Sequence, residues 1–150
     1  MDTWIDRDTT YSDNAYAPIF RWRTAFQYDF QARMDWCVKP HHQANHPPVA
    51  VCSGQQTQDV VAGSVVHLSA DGSSDPDGDA LSYHWVCYPE AGTFQGDITI
   101  HHADSPSARF IAPPATPGTQ IHIILAVTDH RCTTPDTLPE ENLQHSSLTR

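Results

Sequence analysis

Three aspartates at alternate positions, Asp75, Asp77 and Asp79, with Pro76 and Gly78 between them, concentrate oxygen ligands in the stretch DPDGD. Carboxylates at that spacing bring oxygens toward one point, the first requirement of a hard-cation site. Calcium takes six to eight oxygens, and a calcium loop supplies a bidentate Glu further on, which this stretch lacks. The same residue types also build a turn. Proline sets φ, glycine supplies a positive φ, and aspartate carboxylates bond back to nearby amides. A structural turn accounts for every residue here, and calcium on Asp75, Asp77 and Asp79 is the secondary reading.

Hydrolytic chemistry finds less support. Cleavage of a glycosidic or N-glycosidic bond needs a metal-held water or two carboxylates flanking the bond. Glu90 and Asp97 share one loop, and Asp6, Asp8 and Asp13 precede the first long apolar segment, but no spacing sets either group up as an acid and base. The chain is expected to be inactive. His41, His42 and His46, in HHQANHPP, read as solvated linker histidines, since a metal site also needs rigid supporting groups. Cys37, Cys52, Cys87 and Cys132 show no C-x-x-C pair, permit three pairings if all are oxidised, and read as structural or free thiols.

The balance of 18 Asp and Glu against 8 Lys and Arg, a net charge of −10, disfavours a phosphate backbone as partner. Arg21-Trp22-Arg23 is too small a cluster to reverse this. No apolar run approaches the ~20 residues needed to cross a bilayer. MDTWIDRDTT has neither a basic start nor an apolar stretch, so it is no signal peptide. The signal of an exported parent would lie outside this chain.

These residues must be positioned by two kinds of element. From 1 to 46 the pattern is helical. Asp13 or Asn14 can cap a helix over about 16–38, Pro18 is tolerated in its first turn, and Pro40 stops it. Ile19, Trp22, Phe26, Phe30, Met34 and Cys37 recur at steps of three and four, an apolar stripe flanked by Phe20 and Trp36. A lone helix cannot bury that face on itself, so it needs a partner.

From 47 to 129, short alternating runs separated by turn residues predict an all-β sandwich. The runs are PVAVC, SVVHLSA, LSYHWVCY, an edge-like ARFIA, and IHIILAVTD. Val66, Leu68 and Ala70 share one face. So do Leu81, Tyr83, Trp85 and Cys87, and again Ile121, Ile123, Leu125 and Val127, with Trp85 as central plug. The opposite face carries His84 and Val86 on one strand and His122, Ile124 and Ala126 on another. On neighbouring strands these would form a half-apolar docking patch containing two histidines. From 130 to 150, HRCTTPDTLPEENLQHSSLTR lacks periodicity and is expected to be a disordered tail, which leaves IHIILAVTD with an exposed edge.

GSSDPDGDALSYHW resembles the strand-turn-strand signature of PKD and related immunoglobulin-like modules of secreted bacterial proteins. RWRTAFQYDFQARMDWCV, ANHPPVAV, SSDPDGDALSYHWVCYPEAGTF and IHIILAVTD together resemble one family, the bacterial cellulose-binding proteins with an N-terminal nucleoside-hydrolase-like domain and a C-terminal β-sandwich. The resemblance runs from about residue 14 to Asp129. It implies that residues 1–46 end the nucleoside-hydrolase-like domain, that 47–129 form an immunoglobulin/PKD-like sandwich, and that the full-length parent is secreted or periplasmic. The family's aspartate-rich calcium and ribose site has no counterpart here, and its further strand rich in Tyr, Arg and Val is replaced by an unrelated tail. A truncated or frame-shifted coding sequence would explain both departures.

The function so implied is that of a non-catalytic module assisting attachment to plant cell-wall polysaccharide. Tyr88 and Phe94 are the residues for stacking on sugar rings, and Glu90 for bonding a hydroxyl, though Tyr88 and Phe94 equally serve to close the sandwich end. The alternative is a structural interdomain module, with Trp22, Phe26, Phe30, His84 and His122 docking an upstream nucleoside-hydrolase-like domain.

Overall fold

In the computed structural model, the backbone is described for residues 3–6, 9–12, 17–129 and 141–149. The chain divides into two compact units, Met1–Asn45 and His46–Arg150. Asp13 and Asn14, the expected helix caps, lie outside the described residues.

The first unit opens with strands β1 (Thr3–Asp6) and β2 (Thr9–Ser12), an antiparallel pair in register from Thr3↔Ser12 to Asp6↔Thr9. The sequence reading did not foresee this hairpin. Helix α1 (Ala17–Val38) follows, with Pro18 in its first turn, where a missing N–H costs nothing. Pro40 ends it as expected, and a short 3-10 turn, His41–Gln43, folds back so that Trp36 Nε1 donates to Asn45 O at 2.7 Å. Ala32 is buried and Ala25 half-buried, while Phe26, Phe30 and Met34 are exposed. Of the apolar stripe, Trp22 is half-buried while Ile19, Phe26, Phe30, Met34 and Cys37 face outward.

In the second unit, β3 (Thr57–Asp59), β5 (Leu81–Cys87), β7 (Gln120–Asp129) and β8 (Glu141–Thr149) form a sheet in the order β3-β8-β7-β5, and β4 (Val65–Ser69) pairs with β6 (Ser107–Ile111) in a second. Inward residues of both sheets bury together: Val66 and Leu68 from β4, Trp85 from β5, Ala108 and Phe110 from β6, and Ile121, Ile123, Leu125 and Val127 from β7. Trp85 is 2% exposed, the plug its position in LSYHWVCY implied. Its indole N–H donates to Ser105 O at 3.0 Å and its backbone N–H to Ala103 O at 2.8 Å, so a buried aromatic also pins the connection between β5 and β6. The unit is thus mostly β, with small sheets, and its strands follow the helix.

Two expectations are corrected. PVAVC is not a regular strand: Pro47 and Pro48 carry no donors, and Val49 makes an isolated bridge to Ser74 while Val51 N–H turns to Ser73 Oγ. The tail is not wholly disordered. Residues 130–140 lie outside the described residues, but 141–149 run antiparallel to β7 from Thr128↔Glu141 to Gln120↔Thr149, and parallel to β3 on the other side. ENLQHSSLT has no apolar alternation to announce a strand. Main-chain pairing does not require one when a neighbouring strand offers an open row of N–H and C=O groups.

A chain ended at Asp129 is expected to self-associate, because its β7 edge is then bare. Size-exclusion chromatography with light scattering should show a larger association state than that of the full chain. Amides of β7 should exchange faster with deuterium; an unchanged elution volume and unchanged exchange would mean that β8 contributes nothing.

Candidate functional site

The DPDGD stretch is a closed hydrogen-bonded turn between β4 and β5. Asp75 Oδ1 accepts from the backbone N–H groups of Asp77 at 2.8 Å and Asp79 at 3.0 Å, and Asp75 O accepts from Gly78 N–H at 3.2 Å. Gly78 sits at φ +80° with open space around it, so glycine is required by the backbone and not by crowding. His46, at the start of the unit, clamps the turn. Its N–H donates to Asp77 Oδ2 at 2.8 Å and its Nδ1 lies 3.1 Å from Asp77 Oδ1.

The carboxylates of Asp75, Asp77 and Asp79 each offer an oxygen within 4.8 Å of the others. Asp75 Oδ2 is buried without a hydrogen-bond partner among the described residues. A calcium ion there would find three of the six to eight oxygens it takes. The turn's own hydrogen bonds use Asp75 Oδ1 and leave Oδ2 unused.

The second cluster is the segment Tyr88 to Phe94. Pro89–Ala91 form a 3-10 turn, and the chain then returns across the start of β7, with Thr93 and Phe94 N–H both donating to Gln120 O. A Cβ on Gly92 would stand 2.6 Å from that same carbonyl, so the close approach depends on glycine. Phe94 is half-buried, packs against the core and lies over Gly96; Tyr88 is half-buried; Glu90 is exposed. Beside this segment, Val86, Cys87, Pro89, Asp97, Ile98 and Ile100 line a cleft of about 280 Å³. Pairing along β5 made Val86 and Cys87 legible as strand residues, but nothing in sequence brought Ile98 and Ile100 alongside them.

Burial raises the Cys87 thiol above its ordinary range, with the charges of Glu90 and Asp97 adding to the effect, and burial alone raises Cys52. Both therefore remain protonated thiols at neutral pH, which suits packing and not nucleophilic attack.

The outer histidines do not meet. His84 pairs opposite Ala126, whereas His122 lies four positions away along β7, its carbonyl accepting from Tyr88 N–H at 2.8 Å. At about 3.3 Å per residue that is roughly 13 Å of strand. His84 is exposed and its Nδ1 lies 2.6 Å from Asp104 Oδ1, while Ile124 and Ala126 between the two positions are buried. On α1, Trp22 is half-buried and Phe26 and Phe30 are 49% and 65% exposed.

Residues 65–135 match the family model "Cellulose-binding protein Sde0182, C-terminal domain". The match spans β4 to β7, and so contains the aspartate turn, the cleft and the Tyr88–Phe94 segment. The chain is also similar to a solved structure, a nucleoside hydrolase-related hypothetical protein from Saccharophagus degradans that is associated with carbohydrate metabolism. The two share 37% identity with a TM-score of 0.77 over 87% of this chain. This chain spans 32% of that protein, about a third of its length. No curated protein matches the sequence.

Replacing Asp75 by Ala removes the acceptor of two amides and is expected to cost about 1–3 kcal/mol of unfolding free energy, whereas Asp75→Asn, which keeps an oxygen, loses less. Urea denaturation distinguishes them; equal stabilities for the Ala variant and the native chain would show that the turn is held by something else.

Proposed function

We propose that this chain is the C-terminal part of a larger cellulose-binding protein, and that its two-sheet unit is an immunoglobulin/PKD-like sandwich serving, without catalysis, in attachment to plant cell-wall polysaccharide. The observation that carries the reading is the family match over β4–β7, the part of the unit that bears the cleft and its rim. The likeness to a solved protein associated with carbohydrate metabolism supports it. On this reading Tyr88 and Phe94 flank the sugar-binding cleft, and Glu90 and Asp97 supply acceptors for hydroxyls at its mouth. Half-buried aromatics suit this role, since part of each ring is anchored while the remainder meets the ligand. The full-length parent is then secreted or periplasmic.

The full chain should be retained by insoluble cellulose beyond an unrelated β-sandwich protein of similar charge. Tyr88→Ala should weaken retention roughly fivefold, the effect of losing about 1 kcal/mol of stacking. Retention no greater than the control would remove the polysaccharide reading.

A second reading, compatible with the first, rests on α1. Ile19, Phe26, Phe30 and Met34 put a large apolar stripe on the surface, and such a stripe marks a docking face. The matched protein continues for about twice the length of this chain beyond the matched region. We infer that the stripe docks a nucleoside-hydrolase-like domain of the parent, and that any N-glycosidase chemistry belongs to that domain. Phe26→Ser with Phe30→Ser should leave the thermal midpoint of the isolated chain within about 1 °C, since exposed substitutions change stability little. The same pair should abolish the stabilisation gained on co-expression with the upstream domain. A variant stabilised as well as the native chain would exclude this face as the dock.

A further inference from the structure

The outward face of the smaller sheet carries a row of cationic and imidazole side chains running across its strands. His67 on β4 pairs directly with Arg109 on β6, and Arg109 pairs on its other side with His101, exchanging N–H···O bonds of 2.8 and 3.1 Å. Ala108 and Phe110, the neighbours of Arg109, point into the core, and His67, His101 and Arg109 are all exposed. Arg33 and Lys39 each bond an aspartate four residues away, but Arg109 has no carboxylate partner among the described residues. Neither β4 nor β6 contains an acidic residue. An unpaired guanidinium between two imidazoles, in a chain of net charge −10, is a local exception to the surrounding field.

The row does not gather a metal-ligand set: among the described residues, the group of three or more potential ligands that converges is Asp75, Asp77 and Asp79. The row matches an extended ligand instead. A guanidinium takes one carboxylate through two parallel hydrogen bonds, and neutral imidazoles donate to and accept from hydroxyls. A pyranose ring is about as wide as the strand spacing of roughly 4.8 Å, so a glycan lying across the strands places successive sugars over His67, Arg109 and His101. Next to Arg109 on the same face, Val65 and Ile111 form an exposed apolar pair, 51% and 58% exposed, able to cover the C–H face of a ring. At its His67 end the row meets a cleft of about 120 Å³ whose wall includes Gln55 and Gln58, amides that bond hydroxyls in either direction.

Building on the polysaccharide reading, we propose that this face binds a glycan carrying isolated carboxylates, a uronic acid unit on an otherwise neutral chain, with Arg109 holding the carboxylate. The net negative charge argues against a dense polyanion, whose remaining charges are repelled. A single carboxylate feels mainly its local surroundings, because charges beyond about 8 Å are screened at physiological salt.

Affinity electrophoresis or calorimetry of the full chain on glucuronoxylan, carboxyl-reduced glucuronoxylan and polygalacturonate tests this. Glucuronoxylan should bind more tightly than the other two and lose affinity as sodium chloride is raised. Arg109→Gln, an exposed change with an unaltered thermal midpoint, should weaken glucuronoxylan binding roughly tenfold or more and leave the carboxyl-reduced polymer unaffected. His67→Ala with His101→Ala should weaken both xylans. Equal binding of the native and reduced polymers, no binding of glucuronoxylan, or an Arg109→Gln affinity equal to that of the native chain each overturns the proposal. Retention of the native chain on cellulose is read separately. If it persists while glucuronoxylan binding is absent, this face is excluded and the cleft near Tyr88 stands; if cellulose retention fails while glucuronoxylan binds through Arg109, the reverse holds.

Discussion

The second unit is organised around the need to cover and pair β7 completely. Ile121, Ile123, Leu125 and Val127 bury one face, and Ile124 and Ala126 are buried on the other. A strand apolar on both sides belongs in the interior of a sheet, where each edge row of N–H and C=O groups finds a partner. β5 meets one edge over seven residue pairs and β8 the other over nine. The remaining elements are arranged as a consequence. β4 and β6 close over the inward face of β7 with Phe110 and Leu68, and Trp85 fills the space between the sheets while tying the β5–β6 connection in place through two main-chain carbonyls.

That packing leaves the chemistry at the margins. The aspartate turn is spent largely on its own backbone, with Asp75 capping two amides and Asp77 holding His46. The long connection after β5 is drawn against β7 by hydrogen bonds to Gln120 and against β6 by the His101–Arg109 bridge. The chain thereby makes two different surfaces from one loop. At its start it rims a cleft with Tyr88 and Phe94 beside it; near its end it adds a third strand-like row to the smaller sheet. The same segment also packs against the core, Ile98 and Ile100 alternating with exposed Thr99 and His101.

The first unit poses a different physical problem. Its helix buries Ala32 and displays Phe26, Phe30 and Met34, the reverse of what a self-sufficient fold does with its large apolar side chains. An amphipathic face of that size has stabilising value only when something covers it. The interface proposed for this face would resolve that imbalance, and the similar solved protein is about three times as long as the part this chain matches.

Sequence alone determined a good deal. Period-two alternation in SVVHLSA, LSYHWVCY and IHIILAVTD placed the core residues, since one face of each run had to leave water. The composition of DPDGD determined the turn, because its hydrogen bonds are local and need no distant partner. The helix, its stop at Pro40 and the mismatch between its face and the rest of the chain were equally legible. Tertiary structure decided what depended on residues far apart in the chain. β8 was invisible because its pairing is main-chain and supplied by β7. The two outer histidines, apparently one patch, are separated by strand register. Arg109 gained its significance from His67 and His101, which lie 42 and 8 positions away in the chain and come together only through strand pairing. Local preference is written in neighbouring side chains, whereas register and edge pairing are settled by the whole fold.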